Sequence, residues 1–423
     1  MTFLWGASIS SHQVEGGVEN DWTRWERRNA DEWAQPGLLG RARRALGQAN
    51  PPSAAADPSN YISGQATDHF NRYEEDADLA AEMGLNALRF SLEWSRLQPT
   101  EGELDADAVA HYREKIRALR DRGIEPVVTV WHYAHPQWFV DDYGWHHSLA
   151  PAKFHDYARR VHDALGDLVT YWITMNEPSA YVRASYVFGG FPPAQTKLWQ
   201  APRAWRNLVR GHRRAFDALH TTDNLVGVSL AAGSFEPYTD NALNRKLAWL
   251  LRYVEHDGFL QALLPDLDFI GINYYVEYEV DVLGRNLLNG SKPRSDMGWP
   301  LSPSGLEALC TRLAAYDLPL LVTEHGLADS DDEHRGWYIR ESIEAIERAR
   351  AAGAPVNGYL HWSLTDNFEW DKGFWPRFGL AAVDYDDHTR TLRDSTSVYA
   401  DIIDSRDWDA TWQPSGNGAT AQE

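Results

Sequence analysis

One rhythm constrains this chain more than any other feature. Eight short apolar runs recur: Phe3–Ser8, Leu85–Phe90, Pro126–Val130, Tyr171–Thr174, Leu225–Leu230, Phe269–Ile272, Leu320–Thr323 and Gly358–Leu360. Most break off at a polar or aromatic cluster, as in Trp131-His132-Tyr133 or Glu324-His325-Gly326. Amphipathic stretches with apolar residues at helical spacing separate them: Asp68–Met83, Asp105–Arg122, Pro151–Leu165, Trp199–Leu219, Ser304–Ala315, Glu333–Ala352 and Arg393–Ile403. Apolar strands alternating with helices predict a parallel sheet. Eight such units predict a single α/β domain, a (β/α)8 TIM barrel, with its active site at the C-terminal ends of the strands. The barrel is expected over 1–410, with a surface insertion near 27–60 that is rich in Arg, Ala, Pro and Ser. Residues 276–300 are expected to form a long loop over the mouth, and 411–423 a short polar tail.

The strand ends are loaded with chemistry: Arg89, His132, Asn176, Glu177, Tyr275, Glu324 and Trp362. Glu177 follows the run Tyr-Trp-Ile-Thr-Met-Asn, and Glu324 follows Leu-Leu-Val-Thr. Closing a barrel brings the two glutamates together across a cleft. Paired carboxylates are what glycosidic bond cleavage needs: one protonates the leaving oxygen, and the other attacks the anomeric carbon or activates water.

Composition narrows the partners. A net charge of −21 opposes non-specific binding to nucleic acid or to an anionic membrane. No apolar run approaches the ~18 residues of a membrane span, and the start Met-Thr-Phe-Leu-Trp-Gly has no signal-peptide pattern, so a cytoplasmic protein is expected. The one cysteine, Cys310, cannot form an internal disulfide and reads as a small buried hydrophobe. No metal-ligand spacing or phosphate-cradling glycine loop stands out, so neither cofactor nor metal is expected. Homo-oligomerisation stays open. Six lysines against 34 arginines, and 36 Asp against 25 Glu, fit either a salt-rich cytoplasm or codon bias.

The ordered motifs resemble the family 1 glycoside hydrolases, the β-glucosidase and β-galactosidase group. They are Phe3-Leu-Trp-Gly-Ala7 with Gln13-Val14-Glu15-Gly16, Asn20-Asp21-Trp22, Leu85-Asn-Ala-Leu-Arg-Phe-Ser91, Asn176-Glu177-Pro178, Thr323-Glu324-x-Gly326, and Trp362-Ser-Leu-x-Asp-Asn-Phe-Glu-Trp370 with Arg377-Phe378-Gly379. The resemblance spans most of the chain. It implies retaining hydrolysis of terminal β-D-glycosides such as glucosides, galactosides or fucosides. Glu177 would be the acid/base and Glu324 the nucleophile. Arg89 and Tyr275 would hold Glu324, and Asn176 would hold the sugar 2-OH. Gln13, His132, Asn176, Glu369 and Trp370 would contact the sugar hydroxyls, and Trp362 would face the ring. Trp131, Trp145 and Trp299 are candidates for an aglycone wall.

The chain departs from the family pattern at three places. His325 stands where Asn is usual, which is expected to put a titratable group beside Glu324. Tyr133-Ala134-His135-Pro136 and Ser11-His12 also differ. Transglycosylation through the same intermediate is an alternative that sequence does not separate from hydrolysis. A 6-phospho-β-glycosidase is disfavoured by the negative charge of Glu369 and the isolation of Lys372. A non-catalytic sugar-binding barrel would be expected to have lost a glutamate, and both are present.

Overall fold

The computed structural model describes residues 2–35, 51–197, 199–283, 292–406 and 408. Eight parallel strands close into a barrel: β1 (Leu4–Ser8), β2 (Ala87–Ser91), β3 (Glu125–Trp131), β4 (Tyr171–Asn176), β5 (Leu225–Ala231), β6 (Phe269–Asn273), β7 (Leu320–His325) and β8 (Val356–Trp362). Each pairs with its neighbour in the chain, and β8 returns to β1, so no strand edge is left open. Around them run α1 (His69–Glu82), α2 (Ala106–Asp121), α3 (Ala150–Leu165), α4 (Ala201–Leu219), α5 (Ala242–Arg252), α6 (Pro303–Leu313), α7 (Arg335–Ala351) and α8 (Ser395–Ser405). All eight strands, and every one of these helices but α5, lie within two residues of the ends that periodicity predicts. Among the described residues no helix is long and apolar enough to cross a membrane.

The apolar stripe of α5, Leu247, Ala248 and Leu251 packed against Phe235 and Val280, was not read from the sequence, where apolar residues on the other face blur it. Ala248 is buried, while Leu243, Trp249 and Leu250 face solvent. Periodicity also missed a helix at Asp21–Ala34, which carries a narrow buried stripe of Trp22, Glu26, Ala30 and Ala34. A reciprocal cap starts that helix: Asn20 Oδ1 accepts from Thr23 N–H, and Thr23 Oγ1 accepts from Asn20 N–H. The expected insertion near 27–60 is therefore helical up to Ala34. Residues 36–50 lie outside the described residues. After them Tyr61 is buried against Ala30 and Ala34, and Asn60 braces the backbone at Lys372 and Phe374. This stretch supports the mouth instead of looping away from it. Within the expected mouth loop, Glu277–Val280 pairs in parallel with Ser234–Pro237, extending two strands upward; residues 284–291 are outside the described set. So are 411–423, the expected polar tail.

The core has two layers. Leu4, Ala87, Val127, Ile173, Phe269, Leu321 and Leu360 plug the lower barrel from inside. A larger cluster fills the space between strands and helices, where Cys310 is fully buried. Alternate residues along each strand therefore face a plugged interior and a packed exterior. Only the upper end of the interior stays polar.

Candidate active site

Strand parity alone would place Glu324 with Val322, on the outer face. A bulge prevents this. The β6–β7 ladder pairs Ile272 with Val322 and then Asn273 with Glu324, skipping Thr323. Both Thr323 and Glu324 consequently reach inward. The β4–β5 ladder slips likewise between Ile173 and Asn176. Glu177 follows with left-handed backbone angles (φ 42°), and Pro178 opens the next helix. Tyr133 (φ 70°) and Trp370 (φ 46°) are also left-handed. Non-glycine residues held this way store backbone strain, and such positions collect at functional sites.

The two glutamates sit in one hydrogen-bond network but are wired differently. Arg89, fully buried, donates through Nη1 to Glu324 Oε1 in a close ion pair, and through Nη2 to Asn176 Oδ1 at 2.7 Å. Tyr275 O–H donates to Glu324 Oε2 at 2.9 Å. Among the described residues Glu177 touches no cation. Its Oε2 accepts from Tyr133 O–H at 2.5 Å, and its Oε1 from Asn273 Nδ2 at 2.9 Å. Asn273 also donates to Asn176 Oδ1 at 3.0 Å. Thr323 O–H donates to Asn273 Oδ1, and Ser229 O–H to Thr323 Oγ1, so the orientation of the Asn273 amide is determined by its neighbours.

Burial pushes the Glu324 carboxyl up to about 7; the charge on Glu177 adds to this, and Arg89 and Tyr275 oppose it. Burial, with the glutamates, holds the Tyr133 and Tyr275 phenols far above their usual value, so both remain donors. Burial and then Arg89 hold His132 neutral. Among the described residues no group of three or more His, Cys, Asp or Glu could hold a metal ion.

The glycosyl hydrolase family 1 model matches residues 1–261 and 244–408. The chain belongs to glycosyl hydrolase family 1. It is 28% identical to β-glucosidase A of Thermotoga maritima, covering 95% of this chain and 96% of that protein. It is 31% identical to a β-galactosidase of Sulfolobus acidocaldarius, covering 80% and 84%. A solved β-glycosidase structure from Pyrococcus horikoshii superposes at a TM-score of 0.82 with 32% identity, covering 95% of this chain and 93% of that one.

In this family 1 hydrolase every residue expected at the sugar subsite lies at the upper end of the barrel. Asn176 Nδ2 donates to His132 Nε2 at 3.1 Å, so the neutral imidazole carries its proton on Nδ1. The His132 ring lies near-parallel to both Trp362 and Trp370, with centroids 6.1 and 6.0 Å away. Gln13 Nε2 donates to Phe368 O at 2.8 Å and to Glu369 Oε2 at 3.2 Å; Asn367 donates to the same Oε2. Glu369 is half-buried, and burial raises its carboxyl.

Two expectations are corrected. Trp131 and Trp145 are fully buried and pack on each other, with Tyr181 and Phe154, so neither forms an aglycone wall. Trp299 does reach the mouth, partly exposed, beside Tyr275 at 5.7 Å. His325 is turned away from Glu324. Its Nδ1–H donates to Tyr274 O at 2.8 Å, its Nε2 accepts from Ser342 O–H on α7 at 2.7 Å, and burial lowers it to about 4. It is a neutral bridge between strand and helix. Gly326 leaves no room for a side chain: a Cβ there would sit 1.9 Å from the Trp362 carbonyl oxygen.

Two contributors were missed. Asn273 ends β6 just as Asn176 ends β4, and the same strand-end reasoning would have found it. Tyr133 stands in a segment where the sequence departs from its family, and its contact with Glu177 depends on a left-handed backbone that no local pattern announces.

Proposed function

We propose that this chain is an exo-acting, retaining β-glycosidase that releases terminal β-D-glucosyl, galactosyl or fucosyl units by double displacement. The unequal wiring of the two glutamates carries this reading. Glu324 faces a fixed cation and a phenol donor, the surroundings of an ionised nucleophile. Glu177 faces only neutral donors and no cation, so it is the carboxyl placed to give a proton to the aglycone oxygen. Glu324 attacks the anomeric carbon as the aglycone leaves, forming a glycosyl-enzyme. Glu177, now ionised, takes a proton from water, and that water displaces Glu324 from the sugar with overall retention.

Asn176 uses one Nδ2 proton on His132 and keeps the second for the sugar 2-OH, a bond that strengthens in the oxocarbenium-like transition state. Glu369 Oε1 and the Trp362 face remain for the distal hydroxyls and the ring. A 6-phosphate finds no welcome: Lys372 is paired with Asp371 at 2.7 Å. The scheme uses no cofactor or metal.

The decisive experiment is Glu324→Gly with 4-nitrophenyl β-glycosides. Turnover is expected to vanish and to return with azide, yielding an α-glycosyl azide. A β-configured azide would overturn the nucleophile assignment. A panel of glucosides, galactosides, fucosides, mannosides and xylosides then ranks the sugar.

A further inference from the structure

A second cleft lies outside the barrel mouth, between the loop after β3 and the outer face of α4. It is a cavity of about 470 Å³ lined by His146, His147, Ser148, Trp199, Arg203, Arg206, Asn207 and Arg210. Its lining contains no carboxylate, in a chain with 61 of them. Arg203, Arg206 and Arg210 fall at spacings of three and four, so one helix face presents all three to the same space. Among the described residues none of the three makes an ion pair; Arg206 donates to the Pro202 carbonyl, and Arg203 lies over the Trp199 ring at 4.6 Å. Trp199 is 53% exposed.

The walls are held in place. Asn207 Nδ2 donates to the carbonyls of Trp145 and His147 at 3.0 and 2.9 Å, pinning the loop to α4. His146 Nδ1, shielded from solvent, has no partner among the described residues. Burial lowers His146, and His147, Lys197 and Arg203 beside it lower it further. The field in the cleft is positive although the molecule as a whole is strongly negative.

We propose that this cleft binds a small organic anion carrying phosphate or carboxylate groups. Guanidinium forks match both groups in a bidentate manner, and the Trp199 ring supplies a flat surface for the rest of the ligand. The volume suits a ligand larger than a single inorganic ion. None of the lining residues belongs to the glycosidase site, so the proposal stands independently of the sugar chosen there.

The test is calorimetric titration of the full chain with sodium pyrophosphate and, separately, citrate, at constant ionic strength set by NaCl. Saturable binding of at least one probe is expected. Arg206→Ala and Arg210→Ala are each expected to weaken it about tenfold, from the loss of one hydrogen bond to a charged group. Hydrolysis of a 4-nitrophenyl β-glycoside and the thermal midpoint should stay as in the parent chain. Stronger binding of pyrophosphate assigns the site to phosphates, and stronger binding of citrate to carboxylates. No saturation with either probe, or weakening of less than fivefold in both variants, overturns the proposal.

Discussion

Replacing Tyr275 by Phe isolates one oxygen of the network. The ring contacts with Trp299 and Phe378, at 5.7 and 6.4 Å, survive in the variant. Only the 2.9 Å hydrogen bond to Glu324 Oε2 is lost. A hydrogen bond to a charged group is worth about 1.5–3 kcal/mol, and one pKa unit corresponds to about 1.4 kcal/mol. Losing the donor disfavours the ionised carboxylate, so the pKa of Glu324 rises by about one to two units above its starting value. The nucleophile must be ionised, so activity is lost as pH falls through that value. The acid limb of kcat/KM, which reports the free enzyme, therefore moves to higher pH by the same amount. Below both limbs the variant loses about ten- to hundredfold beyond whatever it loses on the plateau. The assay is kcat/KM for a 4-nitrophenyl β-glycoside from pH 5 to 9. Tyr133→Phe is the control: its hydroxyl touches Glu177, so its acid limb should stay in place. An unmoved or lowered acid limb in Tyr275→Phe would refute the claim that this phenol stabilises the ionised nucleophile.

Other substitutions test separate parts of the site. Glu177→Ala should cost far more with poor leaving groups than with 4-nitrophenolate, measured as the slope of log kcat/KM against leaving-group pKa; equal losses would remove Glu177 from the acid role. Asn273→Ala leaves Glu177 Oε1 and half of Asn176 Oδ1 without a donor, and kcat should fall about a hundredfold while the melting temperature stays near the parent value. His325→Asn should leave the acid limb of activity unchanged, because the ring points to α7. His325 is held at about 4 in the fold against about 6.5 unfolded, so its contribution to stability is present above 6.5 and disappears as pH falls toward 4. Urea unfolding of the Asn variant should therefore lose stability less steeply across that window, by about 1.4 kcal/mol per pH unit.

The barrel was legible because its signal is local. Each strand run and most helices announce themselves by period and by their ends, and loading so many strand ends with Arg, Asn, Glu and Tyr places the chemistry at one rim before any contact is known. That is why Arg89, Asn176, Glu177 and Glu324 could be named from sequence, and why they converge at one site. The tertiary structure decided which way side chains point where the period breaks. Val322, Thr323, Glu324 and His325 are four consecutive residues; simple alternation would turn Glu324 outward, and a one-residue slip against β6 turns it inward and sends His325 to α7. The same dependence on distant partners separates Trp131 and Trp145, buried behind the barrel wall, from Trp362 at the site, although all three end or follow strand runs in the sequence. It also brings Tyr133 onto Glu177 and gathers three arginines beside two histidines on the outer face. Periodicity is a property of neighbours along the chain. A bulge, a left-handed residue or a shared cleft exists only when hydrogen bonds and packing across the fold outweigh the local preference.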